Sequence, residues 1–269
     1  MRAYIIFALV LATSIGLSSC NVLRAVVASS KSKTDFYACT TDDRIVCEPG
    51  SESLARTVAP YLPDAIETIA RAQYSPFPKP IVIYTYATRD SYSAHTAQSV
   101  ESAGSVVIET LNLSPKLLGQ PERLRRILTH ELSHLHLQQP IGVSAAGRIP
   151  SWFHEGLAVL VSNGGGAESI SSEQALEAIR QGKHFTPEPS RSWFSQKNAA
   201  DYGLDAHMYY RQAALFVGFL RSENPSAFEN MMKAIAIKTK FVDAIQSAYG
   251  KPLEELWSTF LDKVNLTRR

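Results

Sequence analysis

The sequence is poor in the features that mark several large classes of protein. The apolar run Ile5–Ala12 is too short to span a bilayer comfortably. Neither sign of charge dominates: 27 basic residues face 25 acidic ones, for a net charge of +2. No basic cluster is interleaved with aromatics, so no nucleic-acid partner is expected. No internal repeat is present. The glycines of Ser162-Asn163-Gly164-Gly165-Gly166 follow no expected strand and precede no phosphate-loop lysine, so they read as a loop and not a nucleotide site. Cysteine is scarce, with three in the chain. What remains, 45% hydrophobic and 19% charged, is ordinary globular composition and fits one compact domain.

The first residues are not expected to join the fold. Arg2 precedes the short apolar run, which has the length of a signal-peptide core. The run leads to Leu17-Ser18-Ser19-Cys20, small residues before a cysteine, which resembles a bacterial lipobox. That resemblance implies a signal peptide over residues 1–19 and a lipid on Cys20. It also implies a membrane anchor, with Asn21 holding nothing back at the inner membrane and the outer membrane, facing the periplasm, as the destination. The bland alternative is a plain signal peptide with an incidental cysteine. Cys39 and Cys47 are then left as an even pair in an exported chain, which suggests a disulfide, with two free thiols as the alternative. Residues 20–50 are expected to be lipidated cysteine and tether, and 51–269 the folded domain.

Downstream, apolar periodicity predicts a helix over 52–72, weakened by Pro60 and Pro63. Ile81–Tyr86 predicts a buried strand. The polar stretch 91–104 reads as a loop, and 105–113 as one further strand. Leu124, Ile127, Leu128, Leu132 and Leu135 frame a helix that opens at Pro121 and is expected to stop at Pro140. Ser151 is a candidate cap for the next helix, which the glycine run ends. Helices are expected over 171–180, 207–222, 225–236, 239–248 and 253–264, with a long connection at 184–206. The fold class is α+β.

The chemistry lies on the Pro121 helix, in His130-Glu131-Leu132-Ser133-His134. Residues four apart nearly eclipse on a helix, so His130 and His134 aim their imidazoles at one point. This is the H-E-x-x-H pattern of zinc hydrolases, with the glutamate beside the metal as a base. A catalytic zinc takes three protein ligands and leaves one position open. Glu155, on the next helix with twenty residues between it and His134, is the natural third. His136 stands some 200° around the helix from His134 and is excluded from the same metal, as is His154 beside Glu155. His136 is expected at the surface or in a second contact layer, and Trp152 and Phe153 in core or pocket wall.

The pattern His130-Glu131-x-x-His134 followed by Trp152-Phe153-x-Glu155-Gly156-Leu157-Ala158 resembles a gluzincin metallopeptidase of the peptidase MA-like group. The resemblance covers residues 52–265, strongly at the zinc motif and loosely elsewhere. It implies a mostly helical zincin-like domain with a small N-terminal sheet beside the H-E-x-x-H helix. It further implies Zn2+ on His130, His134 and Glu155, with Glu131 as general base. An edge strand next to the metal would pair with an extended peptide or protein substrate. Tyr210-Arg211-Gln212-Ala213-Ala214 is similar to the family's tyrosine-bearing helix, which makes Tyr210 the candidate donor to the oxyanion. Tyr209 and His207 are alternatives for that role. No Gly-x-Met-Glu-Asn stretch precedes the zinc helix, so aminopeptidase-type amine recognition is not expected. The competing readings are a catalytically idle zinc-fold lipoprotein that binds or scaffolds, and a zinc hydrolase of a non-peptide amide.

Overall fold

The computed structural model describes residues 27, 28, 30–189 and 196–266. The expected signal peptide, Cys20 and the Trp193-Phe194 segment lie outside them. The fold is α+β and mostly helical, with a small sheet on its N-terminal side.

The sheet has five short strands in the order β1-β2-β3-β5-β4. They are β1 (Tyr37–Ala38), β2 (Ile45–Cys47), β3 (Ile83–Thr85), β4 (Gly104–Val107) and β5 (Thr110–Leu113). β2, β3 and β5 run parallel, while β1 and β4 pair antiparallel at the two edges. The folded body therefore starts upstream of residue 51, and the expected tether is shorter than 20–50. Ile45 and Cys47 are fully buried, and a disulfide between Cys39 and Cys47 closes the β1–β2 turn. Phe36 packs edge-on to Tyr84 and Tyr86, which brings even the residues before β1 against the sheet.

Helices α1 (Glu52–Val58) and α2 (Leu62–Ala72) are separated by a tight turn over Ala59–Tyr61. The break falls where Pro60 and Pro63 remove backbone donors. The expected loop at 91–104 instead contains α3 (Arg89–Thr96), capped by the Thr88 hydroxyl. The single strand expected over 105–113 is a hairpin, β4 and β5, turned by Ile108 and Glu109. Both residues have positive φ, 44° and 60°. A non-glycine residue in that region costs about 1–2 kcal/mol.

Helix α4 (Pro121–Ile141) carries the H-E-x-x-H segment. Pro140 does not stop it; the helix runs one residue further, to Ile141, and is followed by Gly142 with φ +81°. A proline in the last turn forfeits a single hydrogen bond, which the buried Leu137 and Ile141 outweigh. After the short α5 (Val143–Ala146) comes α6 (Ser151–Val161), where Pro150 and not Ser151 occupies the cap position. The Ser151 N–H instead donates to Gln196 Oε1 at 2.7 Å. The remaining helices are α7 (Ser172–Arg180), α8 (Ala206–Glu223), α9 (Pro225–Ala236), α10 (Phe241–Tyr249) and α11 (Leu253–Leu266).

Two apolar cores meet at α4. Leu124, Leu128, Leu132 and Leu135 belong with the sheet, α1 and α2. Leu137 and Ile141 belong with the C-terminal helices, including Phe153 and Leu157 of α6 and Phe216 of α8. The H-E-x-x-H segment sits at that junction. Helices α6 and α8 approach closely because Gly156 has no side chain: a Cβ there would lie 2.7 Å from the Ala213 carbonyl. Gly156→Ala is expected to destabilise the protein by about 1–3 kcal/mol through overpacking. A urea midpoint unchanged from the parent would contradict this.

Candidate metal centre

His130 is buried, at 5% exposure, and its Nδ1–H donates to the Gly165 carbonyl at 2.9 Å. That bond sets the tautomer and leaves Nε2 as a lone pair. Nε2 of His134 lies 3.0 Å from it. Glu155, carried in by α6, places Oε2 3.4 Å from His130 Nε2 and 3.8 Å from His134 Nε2. The three residues form one cluster of ligand atoms within 4.8 Å of one another. Donors at about 2.1 Å from a tetrahedral centre stand about 3.4 Å apart, the middle of the observed range.

The electrostatics ask for a positive charge at this point. Burial opposes protonation of His130, but the carboxylates of Glu155 and Glu131 outweigh it and raise its pKa. Burial pushes His134 down to about 3. Burial would raise Glu155, yet His134 and His130 beside it hold its carboxyl below the ordinary value. Two neutral imidazoles and a carboxylate with an open side match the ligand set of a catalytic zinc, so these residues fit such an ion.

Part of what holds the centre was not recognised in the sequence. The loop Gly164-Gly165-Gly166 supplies the carbonyl that orients His130. Gly166 has φ +82°, and a Cβ on it would lie 2.8 Å from His130 Cε1. A Cβ on Gly165 would lie 2.6 Å from the Arg126 carbonyl oxygen. The chain passes between the ring and α4 only as glycine. Arg211 ties the loop to α8 through Nη2 to the Ala167 carbonyl and Nε to the Ile170 carbonyl, both at 2.9 Å. The available signal was the position of the glycine run, directly after the helix that bears a ligand.

Glu131 is 7% exposed and lies against the edge strand. A Cβ on Gly104 would stand 3.1 Å from its Oε1. Burial raises its pKa to about 7, with His130 opposing the shift and Glu155 adding to it. Tyr210 lines the same cleft as Glu131 and Glu155. The charge of Glu155, then burial, then Glu131 push its hydroxyl well above the ordinary phenol value, so it stays protonated. Tyr209 faces the other way, stacked on Tyr202 and edge-on to Phe185. His207 lines the cleft one turn before Tyr210, its Nδ1 accepting from the Ser169 N–H at 3.1 Å, which leaves the proton on Nε2.

His136 is buried rather than at the surface. Its Nδ1 meets Gln73 Oε1 at 2.7 Å and its Nε2 the Ser75 carbonyl at 2.8 Å, because the end of α2 covers that face of α4. His154 donates from Nε2 to the Ala146 carbonyl at 2.9 Å, away from Glu155.

A cleft opens on each side of the cluster. One, of about 480 Å³, runs past Gln138, Ile149, His154 and Gln196. The other, of about 400 Å³, runs past Gly104, Arg123, His207 and Tyr210. Val106, His134 and Glu155 line both. Gly166→Ala is expected to weaken metal binding about 10–100-fold, the usual cost of a disturbed second contact layer, with the helical circular-dichroism signal retained. Competition titration against a chromophoric chelator reads it, and an unchanged affinity would detach the glycine loop from the centre.

No protein-family model and no curated protein sequence matches this chain. Among solved structures it is similar to a mutant M1 zinc metallopeptidase from Deinococcus radiodurans, at 13% identity and a TM-score of 0.44. The match covers 81% of this chain and 47% of that one, so the chain spans about half the length of that enzyme.

Proposed function

We propose that the protein is a zinc-dependent peptidase that hydrolyses internal peptide bonds at the envelope of a bacterial cell. The observation that carries this reading is the convergence of His130 Nε2, His134 Nε2 and a Glu155 oxygen, with the buried carboxyl of Glu131 beside them. His130, His134 and Glu155 would hold the zinc. Bound there, zinc supplies a Lewis acid that polarises a carbonyl and makes water a nucleophile near neutral pH.

This chain's own groups supply the rest. Glu131, with a pKa raised to about 7, is poised to take a proton from the attacking water and return it to the leaving nitrogen. Tyr210 keeps its proton beside two carboxylates and donates it as a hydrogen bond to the developing oxyanion, a contribution that reaches a few kcal/mol. Tyr209 is directed away, which favours Tyr210 of the two. β4 is an edge strand among the described strands and offers its free side to an extended peptide. Clefts on both sides of the cluster let a chain continue past it in either direction, which favours an endopeptidase. The envelope location rests on the lipobox-like Leu17–Cys20 segment.

Glu131→Gln is expected to lower kcat on a susceptible peptide by at least about 10²-fold while bound zinc stays near one per chain. Zinc content by elemental analysis and turnover of a broad peptide library check it together. Full turnover in the variant would remove Glu131 as the base, and a parent inert on every peptide would favour a binding protein. Cys20→Ser is expected to move the protein from the membrane to the soluble fraction in a bacterial host. Persistence in the membrane fraction would rule out the lipid anchor.

A further inference from the structure

Glu168 lines the 400 Å³ cleft with its carboxylate only partly satisfied. Its Oε1 is buried and accepts no hydrogen bond from any described residue. The charge that faces it is Arg123, which lines the same cleft. Arg123 Nε stops 3.6 Å from that oxygen, whereas a charge-assisted hydrogen bond closes to about 2.7–2.9 Å. Arg211, whose charge also bears on Glu168, directs Nε and Nη2 to the Ile170 and Ala167 carbonyls instead. The Glu168 side chain is 19% exposed, so it still opens to the cleft. Rotation about its terminal torsion exchanges the two oxygens at small cost, and either can turn outward. A carboxylate held short of donors calls for an explanation, and beside the candidate metal centre that explanation is a ligand.

The backbone around Glu168 is pinned while its side chain is not. Arg211 holds the carbonyls of Ala167 and Ile170, and His207 Nδ1 accepts from the Ser169 N–H. All three bonds run to α8. Glu168 follows Gly166 by two residues, and Gly166 abuts the His130 ring, so Glu168 stands within about 7 Å of that contact along the chain. The rest of the lining says what charge fits. Glu101 lines the same cleft but is already paired with Arg89 and Lys116. Glu131 and Glu155 belong to the metal centre. Among the described residues that leaves Glu168 as the carboxylate on this side with acceptor capacity to spare. The 480 Å³ cleft opposite is lined by no Lys, Arg or Asp, and by no Glu except Glu155. We infer that Glu168 is a specificity residue that receives the cationic end of a Lys or Arg side chain, one or two residues from the reacting bond on the Tyr210 side. The inference rests on the peptidase reading and adds a charge preference to it. Arg123 is the internal cation that the substrate's cation competes with.

The test uses the full chain carrying Glu131→Gln and fluorescently labelled, end-blocked octapeptides in which each position is Lys or its uncharged counterpart norleucine in turn. Anisotropy should find one position where Lys binds about tenfold tighter than norleucine, the usual scale of a hydrogen bond to a charged group. Adding Glu168→Gln, which keeps the size and removes the charge, should reduce that preference to less than about twofold. Adding Arg123→Gln instead removes the competing cation and should strengthen it. Glu173 lines neither cleft, so Glu173→Gln should keep the preference. A Lys preference that is absent at every position, survives Glu168→Gln or falls in Arg123→Gln overturns the inference. Should Glu168→Gln fail to fold, the Arg123→Gln result decides alone. Binding that follows this pattern without cleavage by the chain that retains Glu131 keeps the contact and removes the peptidase reading. Cleavage with a charge preference indifferent to Glu168→Gln does the reverse.

Discussion

Two imidazole nitrogens 3.0 Å apart, one on the buried His130 and one on the half-buried His134, set the terms for the rest of this structure. Such a pair repels itself unless a positive charge lies between or beside it. The protein assembles that repulsion deliberately. It bonds His130 Nδ1 to a carbonyl so that Nε2 faces inward, and it brings the carboxylate of Glu155 to the same point from another helix. Each group alone would be an unfavourable thing to bury. Together they form a socket that suits a cation.

Most of the architecture can be traced to holding that socket. α4 crosses the junction of the sheet core and the helical core, so its middle is clamped from both sides. α6 is seated against α8 through Gly156, which sets the height of Glu155 and brings Tyr210 to the cleft. The glycine loop closes over His130 from behind. Gly104 leaves room for Glu131 against the edge strand, so the proposed base and the proposed substrate platform are in contact. Three of these contacts depend on glycines, because backbone or ring must come nearer than a Cβ permits.

The parts legible in the sequence were those with a strong local period or spacing. His130 and His134 were placed by helical geometry alone, and the helix of Glu155 by its apolar stripe and the glycines after it. The harder parts depend on contacts remote in sequence. The β4–β5 turn was hidden because Ile108-Glu109 carries no turn residue; anchoring by Gln138 and Lys79 holds it instead. α3 reads as a loop because its residues are polar, and only Tyr92 and Thr96 are buried. Residues 37–47 read as tether because their strands are two and three residues long and gain their order from sheet partners and a disulfide. For His136 the surface and a second contact layer both stayed open, because nothing local shows that α2 covers that face of α4. The role of Gly164–Gly166 was missed because its contact with a ligand 35 residues away shows locally only as a glycine run after the helix of Glu155.

The central claim is that His130, His134 and Glu155 bind one zinc and leave it a free position. X-ray absorption at the zinc edge, on the purified chain loaded with one equivalent of metal, addresses it most directly. The account predicts a four-coordinate ion with two imidazole nitrogens and the balance oxygen, at about 2.0–2.2 Å, and loss of both imidazole signals in His130→Ala/His134→Ala. A spectrum without imidazole ligands, or one unchanged in that double variant, would contradict it.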